Sequence, residues 1–159
     1  MFGALSNKKM DNVFVEIKGR NPHMRNSFHK FCKSYLYGTS LTVINDADFF
    51  EDNESNSYIF LKIFKPTQTI LFALRKWNPV GVEVTSFPEV AVDKDYEDEC
   101  EITYYKRKNA VDSRMVKHTE SCVSLLHIKS GIIIESQSER SKFKNKDQAI
   151  KFLHSKLSA

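Results

Sequence analysis

Residues 122–157 read CVSLLHIKSGIIIESQSERSKFKNKDQAIKFLHSKL, and this stretch decides the fold of the C-terminal part of the chain. Val123–Ile128 and Ile132–Gln137 are two apolar-rich runs. Lys129-Ser130-Gly131 between them carries turn residues, so the pair predicts a β-hairpin. Ser138–Lys144 follows as a basic connector. The period then changes. Ala149, Ile150, Phe152, Leu153 and Leu157 share one helical face, which predicts a helix over 147–157. A helix with one apolar stripe buries it against one face of a small sheet.

Working outward, Ile102–Tyr105 reads as a strand. Residues 106–118 are polar, basic and without period, which predicts a long exposed loop. Further upstream, Val13, Val15 and Ile17 alternate with Phe14, Glu16 and Lys18, giving a strand over 12–18. Asn21-Pro22 breaks it. Met24, Phe28, Phe31, Cys32, Tyr35 and Leu36 then fall on one face of a helix over 23–37, with Gly38 as its C-terminal cap. Leu41–Ile44 is a second strand and 45–56 an acidic loop. Tyr58–Phe64 is apolar on both sides apart from Lys62, as a central strand should be. Pro66 and Thr67 suit a helix start; Ile70–Leu74 continue that helix, and Val80–Phe87 form a strand ending at Pro88. Residues 1–11 show no period and read as a loose arm. The order is β-α-β-β-α-β and then β-β-β-α, an α+β fold.

The 159 residues carry 24 Lys+Arg against 20 Asp+Glu, a net charge of +4. That total hides an asymmetry: residues 1–100 hold 12 basic and 14 acidic side chains, and residues 101–159 hold 12 and six. Between residues 93 and 101 stand six acids, Asp93, Asp95, Glu97, Asp98, Glu99 and Glu101, against Lys94. Residues 105–118 then turn basic. The sign change sets a domain boundary near residue 98, giving an arm over 1–11 and domains over 12–98 and 99–159.

Composition excludes several classes. The 41% hydrophobic fraction supports a real core. No apolar run reaches the roughly 18–20 residues of a membrane span, and no N-terminal apolar core suggests a secretory signal. Cys32, Cys100 and Cys122 are too few and too dispersed for a disulfide scaffold or a paired-cysteine zinc site. No Gly-rich phosphate loop or His-Glu-x-x-His is present, and the five His are scattered. The expectation is a chain without metal or cofactor, in a reducing, cytoplasmic compartment. Cys122 opens an apolar strand and reads as a small hydrophobe rather than a nucleophile. His127 reads as a satisfied structural histidine, and Trp77 as a packing residue rather than a base-stacking platform.

Three blocks carry a resemblance. Val116 through Val123 is similar to Val-Asn-Lys/Arg-Thr-Glu/Asp-Ser-Ala-Val. His127-Ile128 with Ser130-Gly131-Ile132 is similar to His-Ile-x-Thr-Gly-Ile/Val. Gln137 through Lys146 is similar to Gln-x-Glu/Asp-Arg-Ser-Gln-His-Lys-Asn-Lys, and Asp147-Gln148-Ala149 continues it. Together they span about 50 residues and resemble the peptidyl-tRNA hydrolysis domain of the class I peptide chain release factors. The first domain resembles a trimmed codon-recognition domain, nearest to the short release factor homologue H family. There, Arg75-Lys76-Trp77-Asn78-Pro79-Val80-Gly81-Val82 is similar to Arg-Lys-Asn-Trp-Phe-Val-Gly-Val. The family's polar reading loop is missing between Leu74 and Arg75, and no Ser-Pro-Phe or Pro-x-Thr tripeptide is present.

The main departure lies in the catalytic loop. Where the family carries Gly-Ala-Gly-Gly-Gln, this chain has Ala110-Val111-Asp112-Ser113-Arg114. The resemblance implies that the glycines permit a backbone conformation other residues resist, and that the glutamine stabilises charge developing on the ester. Asp112, Ser113 and Arg114 replace that set, which implies loss of hydrolysis. What remains is RNA contact: Arg107, Lys108, Arg114 and Lys117 in the loop, and Gln137, Arg140, Lys142, Lys144, Asn145 and Lys146 in the connector. On an extended connector, Arg140, Lys142, Lys144 and Lys146 would align in one basic ridge, with Phe143 and Asn145 pointing the other way. The expected partner is the ribosome, its RNA or another structured RNA, and no membrane. Two alternatives stand beside it: a non-standard peptidyl-tRNA hydrolase using Arg114, and a protein-interaction module that reuses the fold through its acidic segment.

Overall fold

The computed structural model describes residues 11–19, 24–45, 57–106 and 120–159. The expected arm over 1–11, apart from Asp11, lies outside these residues. So do the Asn21-Pro22 break, all but the first residue of the acidic loop over 45–56, and the loop expected over 106–118 apart from Lys106.

The chain divides into two compact units, Met1–Glu89 and Val90–Ala159. The first contains β1 (Val13–Gly19), α1 (Met24–Tyr35), β2 (Leu41–Asn45), β3 (Ser57–Ile63), α2 (Gln68–Lys76) and β4 (Val82–Pro88). Its four strands form an antiparallel sheet in the order β2-β3-β1-β4. β3 is interior, as its two-sided apolar pattern requires. Val13, Val15 and Ile17 of β1 face the same side as Ile59, Leu61 and Ile63 of β3. That side packs with Met24, Phe28, Phe31 and Leu36 and with Leu71 and Leu74 of α2.

Local chemistry sets the ends of these elements. Gly38, at φ +79°, closes the α1 end in the left-handed region where glycine is at no disadvantage. The Thr67 side chain caps α2 by accepting from the Ile70 amide at 3.3 Å. Trp77 stacks on Phe31 with ring centroids 4.5 Å apart, so it is a packing residue. The strand expected to begin at Val80 begins instead at Val82. The Val82 amide donates to the Pro79 carbonyl at 3.1 Å, and Gly81 has φ +78°. Val80 and Gly81 are therefore the tip of a turn.

The second unit contains β5 (Cys100–Tyr105), β6 (Cys122–His127), β7 (Ile132–Ser136) and α3 (Lys142–Ser158). The antiparallel sheet has the order β5-β6-β7. α3 packs on β6 and β7, and Ala149, Phe152, Leu153, Val123, Leu125 and Ile134 are all fully buried. The β6–β7 hairpin turns at Gly131, φ +73°.

Two boundaries move. The charge flip near residue 98 does not mark the start of the second unit, which begins at Val90. The physical reason is that the acidic stretch finds partners within that unit. The helix expected at 147 starts at Lys142, five residues earlier. Ser141 accepts from the Lys144 amide at 3.4 Å and its carbonyl from the Asn145 amide at 3.0 Å. Residues 142–146 carry no apolar stripe, so period alone does not reveal them, whereas the capping serine does.

Candidate nucleic-acid interface

The helical start of α3 changes the geometry of the basic cluster. An extended ridge of Arg140, Lys142, Lys144 and Lys146 does not form, because a helix turns 100° per residue where a strand alternates. Lys142 and Lys146 sit one turn apart. Arg140 and Lys144 are exposed. The Lys142 ammonium lies over two rings, 5.3 Å from the centroid of Tyr104 and 5.5 Å from that of Phe143. Lys146 is only partly exposed and pairs with Glu97, whose hydrogen bond raises the lysine pKa. Arg107, Lys108, Asp112, Ser113, Arg114 and Lys117 lie outside the described residues.

Two of the expected contact residues point inward. Asn145 is 0% exposed. Its Oδ1 accepts from the Glu139 amide at 3.0 Å and from Ser136 Oγ at 3.2 Å. Its Nδ2 donates to the carbonyls of Ser121 at 2.7 Å and Glu139 at 2.9 Å. One amide thus ties together the segment entering β6, the end of β7 and the connector before α3. Asn145 is a structural hub, its side chain buried and engaged in these four bonds. Gln137 is also buried; its Nε2 donates to Tyr105 Oη at 3.0 Å. Tyr105 in turn donates to Glu135 Oε2 at 2.6 Å. Burial raises the pKa of Glu135 against the opposing hydrogen bonds from Tyr105 and Ser124. Burial also pushes the Tyr105 phenol far above its ordinary value. This chain of Gln137, Tyr105 and Glu135 holds β5 to the end of β7.

The acidic segment is a strap along this unit. The Val90 amide donates to Ser155 Oγ at 2.9 Å. Asp93 lies 3.5 Å from His154 Nε2, and Tyr96 Oη is 2.5 Å from His154 Nδ1. Glu97 holds Lys146. Glu99 pairs with Lys94 at 2.8 Å and Lys129 at 3.4 Å, and the Lys94 hydrogen bond lowers its pKa. His127 is buried, with Nδ1 2.6 Å from Ser130 Oγ and Nε2 3.8 Å from Glu99. The ring is thus hydrogen-bonded on its Nδ1 side only: Nε2 is buried without a hydrogen-bond partner among the described residues, so the expected satisfied histidine is half satisfied. The strap escaped a reading by charge alone; Tyr96, the one aromatic residue among the acids, is the signal that could have found it.

The thiols offer no nucleophile. Cys122 is buried. Burial raises Cys32 to about 11 and Cys100 above its ordinary value, keeping both protonated at neutral pH. No group of three or more His, Cys, Asp or Glu that could hold a metal is found among the described residues. No helix there is long and apolar enough to cross a membrane.

Residues 95–159 match the family described as the RF-1 domain. Peptide chain release factor 2 of Listeria innocua is 34% identical over 110 residues, covering 64% of this chain and 30% of that protein. Peptide chain release factor 2 of Nautilia profundicola is 33% identical over 122 residues, covering 72% and 33%. A match to 72% of the chain extends into the first unit, because the second begins only at Val90. Among solved structures, RF2 of Thermus thermophilus superposes with a TM-score of 0.64 at 17% identity, covering 99% of this chain and 52% of that one. That likeness is one of fold. The chain spans about a third of the length of these curated relatives.

Proposed function

The chain belongs to the class I peptide chain release factor family, and from that premise we propose that it binds the ribosome through its basic second unit without hydrolysing peptidyl-tRNA. One observation carries this reading. The chain has Asp112-Ser113-Arg114 at the position that, counted back from Thr119 by the resemblance, would hold the family's Gly-Gly-Gln. Glycine there admits backbone angles that a Cβ penalises. Placement of an oxyanion donor tolerates little displacement, and neither Ser113 nor Arg114 reproduces the small neutral set. The protein would occupy a release factor's site in the cytoplasm and compete with termination or rescue.

Ribosomal RNA contact rests on exposed cations. Arg140, Lys142 and Lys144 supply phosphate contacts from α3 and the connector before it, and Arg107, Lys108, Arg114 and Lys117 supply them from the loop. Gln137 and Asn145 support this surface from beneath. Such binding weakens steeply with salt, because each neutralised phosphate releases counterions. Sedimentation of the full chain with ribosomes tests the reading. Co-sedimentation at low salt, reduced by Arg140→Glu and Lys144→Glu, is expected. A protein that stays in the supernatant, with both variants behaving as wild type, overturns it.

A second reading keeps hydrolysis, with the Arg114 guanidinium supplying charge at the glutamine's position. Release of peptide from loaded ribosomes that Arg114→Ala abolishes is its signature. A third is docking of a protein on the acidic segment, where Glu97 and Glu99 are paired within the second unit while Asp95, Asp98 and Glu101 stand exposed.

A further inference from the structure

Phe143 has the opposite environment from the other large aromatic side chain of α3. Phe152 is fully buried, whereas Phe143 is 71% exposed. Its surroundings are cationic. The Lys142 ammonium lies 5.5 Å from its centroid, and Arg140 and Lys144 are exposed on either side in sequence. Tyr104, half-buried at the end of β5, flanks the same ammonium at 5.3 Å. An exposed ring costs apolar hydration and does nothing for the core here. Placed among cations, it has the composition of a single-stranded nucleic-acid platform, in which charges hold the backbone and an aromatic face holds a base.

We propose that Phe143 stacks on an unpaired RNA base, with Lys142 fixing the platform and Arg140 and Lys144 holding the adjoining phosphates. This inference rests on the ribosome-binding reading and adds to it a base contact, a kind of recognition that phosphate pairing does not supply. A folded helix or a duplex phosphate ridge would leave the ring without a partner. A base flipped out of a loop or bulge presents the π-face that fits it.

Lys142 sets the geometry. A cation over the ring face draws on the ring quadrupole, and the ammonium over both Tyr104 and Phe143 restrains the Phe143 side chain at the surface. A base stacked on the open part of the ring then meets a partner that is already oriented. Phe143→Trp keeps such a platform, Phe143→Leu keeps apolar bulk without the π-face, and Phe143→Ala removes both.

The test is equilibrium binding of the full chain to purified large ribosomal subunits, repeated across a salt series. Phe143→Ala is expected to weaken binding by about fivefold or more, the range of one lost base stack, with the salt slope unchanged. Phe143→Trp should bind within about twofold of wild type, and Phe143→Leu should behave as Phe143→Ala. Lys144→Glu should instead lower the salt slope. Thermal melting of each variant should match wild type, because the ring is exposed. If Phe143→Ala binds as wild type while Lys144→Glu is weakened, stacking is overturned and the ribosome reading stands. If Phe143→Leu binds as wild type, the contact is apolar, as a protein partner would make, and stacking is again overturned. If wild type itself does not bind, both fall.

Discussion

The two units hide different things. The buried interior of the first is almost wholly apolar, with Asn45 its one buried polar residue among those described. The second buries His127, Glu135, Ser136, Gln137, Asn145, His154 and Ser155. The exception in the first unit makes a single bond: Asn45 Oδ1 accepts from the Phe60 amide at 2.6 Å, joining β2 to β3 where their register shifts, and its Nδ2 has no partner among the described residues. In the second unit the polar groups tie separate elements to one another. One unit is held by packing that tolerates hydrophobic exchange. The other is held by donors and acceptors that each require a particular partner.

That contrast can be broken by substitution. The largest expected effect is in the apolar sheet. Leu61→Ala, at a side chain that is 0% exposed, should cost about 3–5 kcal/mol in chemical denaturation. Asn145→Ala should cost about 2–3 kcal/mol, because four hydrogen bonds lose their partner and the orphaned groups stay buried. Amide exchange resolved along the chain should show the loss of protection from Asn145→Ala around β6, the end of β7 and the start of α3. A cost under about 0.5 kcal/mol would remove the distinction between the units.

Within the second unit, a buried and a paired glutamate differ in turn through opposite pH dependence. Burial raises Glu135 in the fold, so its ionised form opposes folding at neutral pH, and that cost fades as pH falls through the raised value. Glu135→Gln should therefore stabilise at pH 8, and the gain should vanish near pH 4. Glu99 is lowered by Lys94, so its contribution is present above the ordinary carboxylate value of 4.5 and is lost as pH falls through the lower folded value. Glu99→Gln should give the smallest effect, a slight drop in melting temperature at neutral pH that disappears in acid. Melting curves of both variants from pH 3 to 8 check the signs. Parallel pH slopes for the two would contradict the assigned environments.

Legibility followed the same division. In the first unit, the alternation of Val13, Val15 and Ile17 and the helical spacing of Met24, Phe28 and Phe31 are core positions, so period and burial coincide. In the second, period located the hairpin and the apolar half of α3, but not its basic first turns. Lys142 through Lys146 are helical because Ser141 caps them and Asn145 is anchored, neither of which is a hydrophobic signal. The candidate contacts divided accordingly. Arg140, Lys142 and Lys144 are at the surface, whereas Gln137 and Asn145 were drawn inward by partners distant in sequence. A polar residue within a basic run reads as surface until its partners, here Tyr105, Ser121 and Ser136, are in place. The role of Tyr96 and the acidic strap likewise depends on His154, 58 residues away along the chain.

The central claim is binding without hydrolysis, and one measurement tests both halves. Ribosomes carrying peptidyl-tRNA in a release-competent state are mixed with excess protein, and bound protein and freed peptide are followed in the same reaction. The account predicts saturable binding with peptide released no faster than in buffer. Peptide release that tracks occupancy, and that is lost on Arg114→Ala, would contradict it.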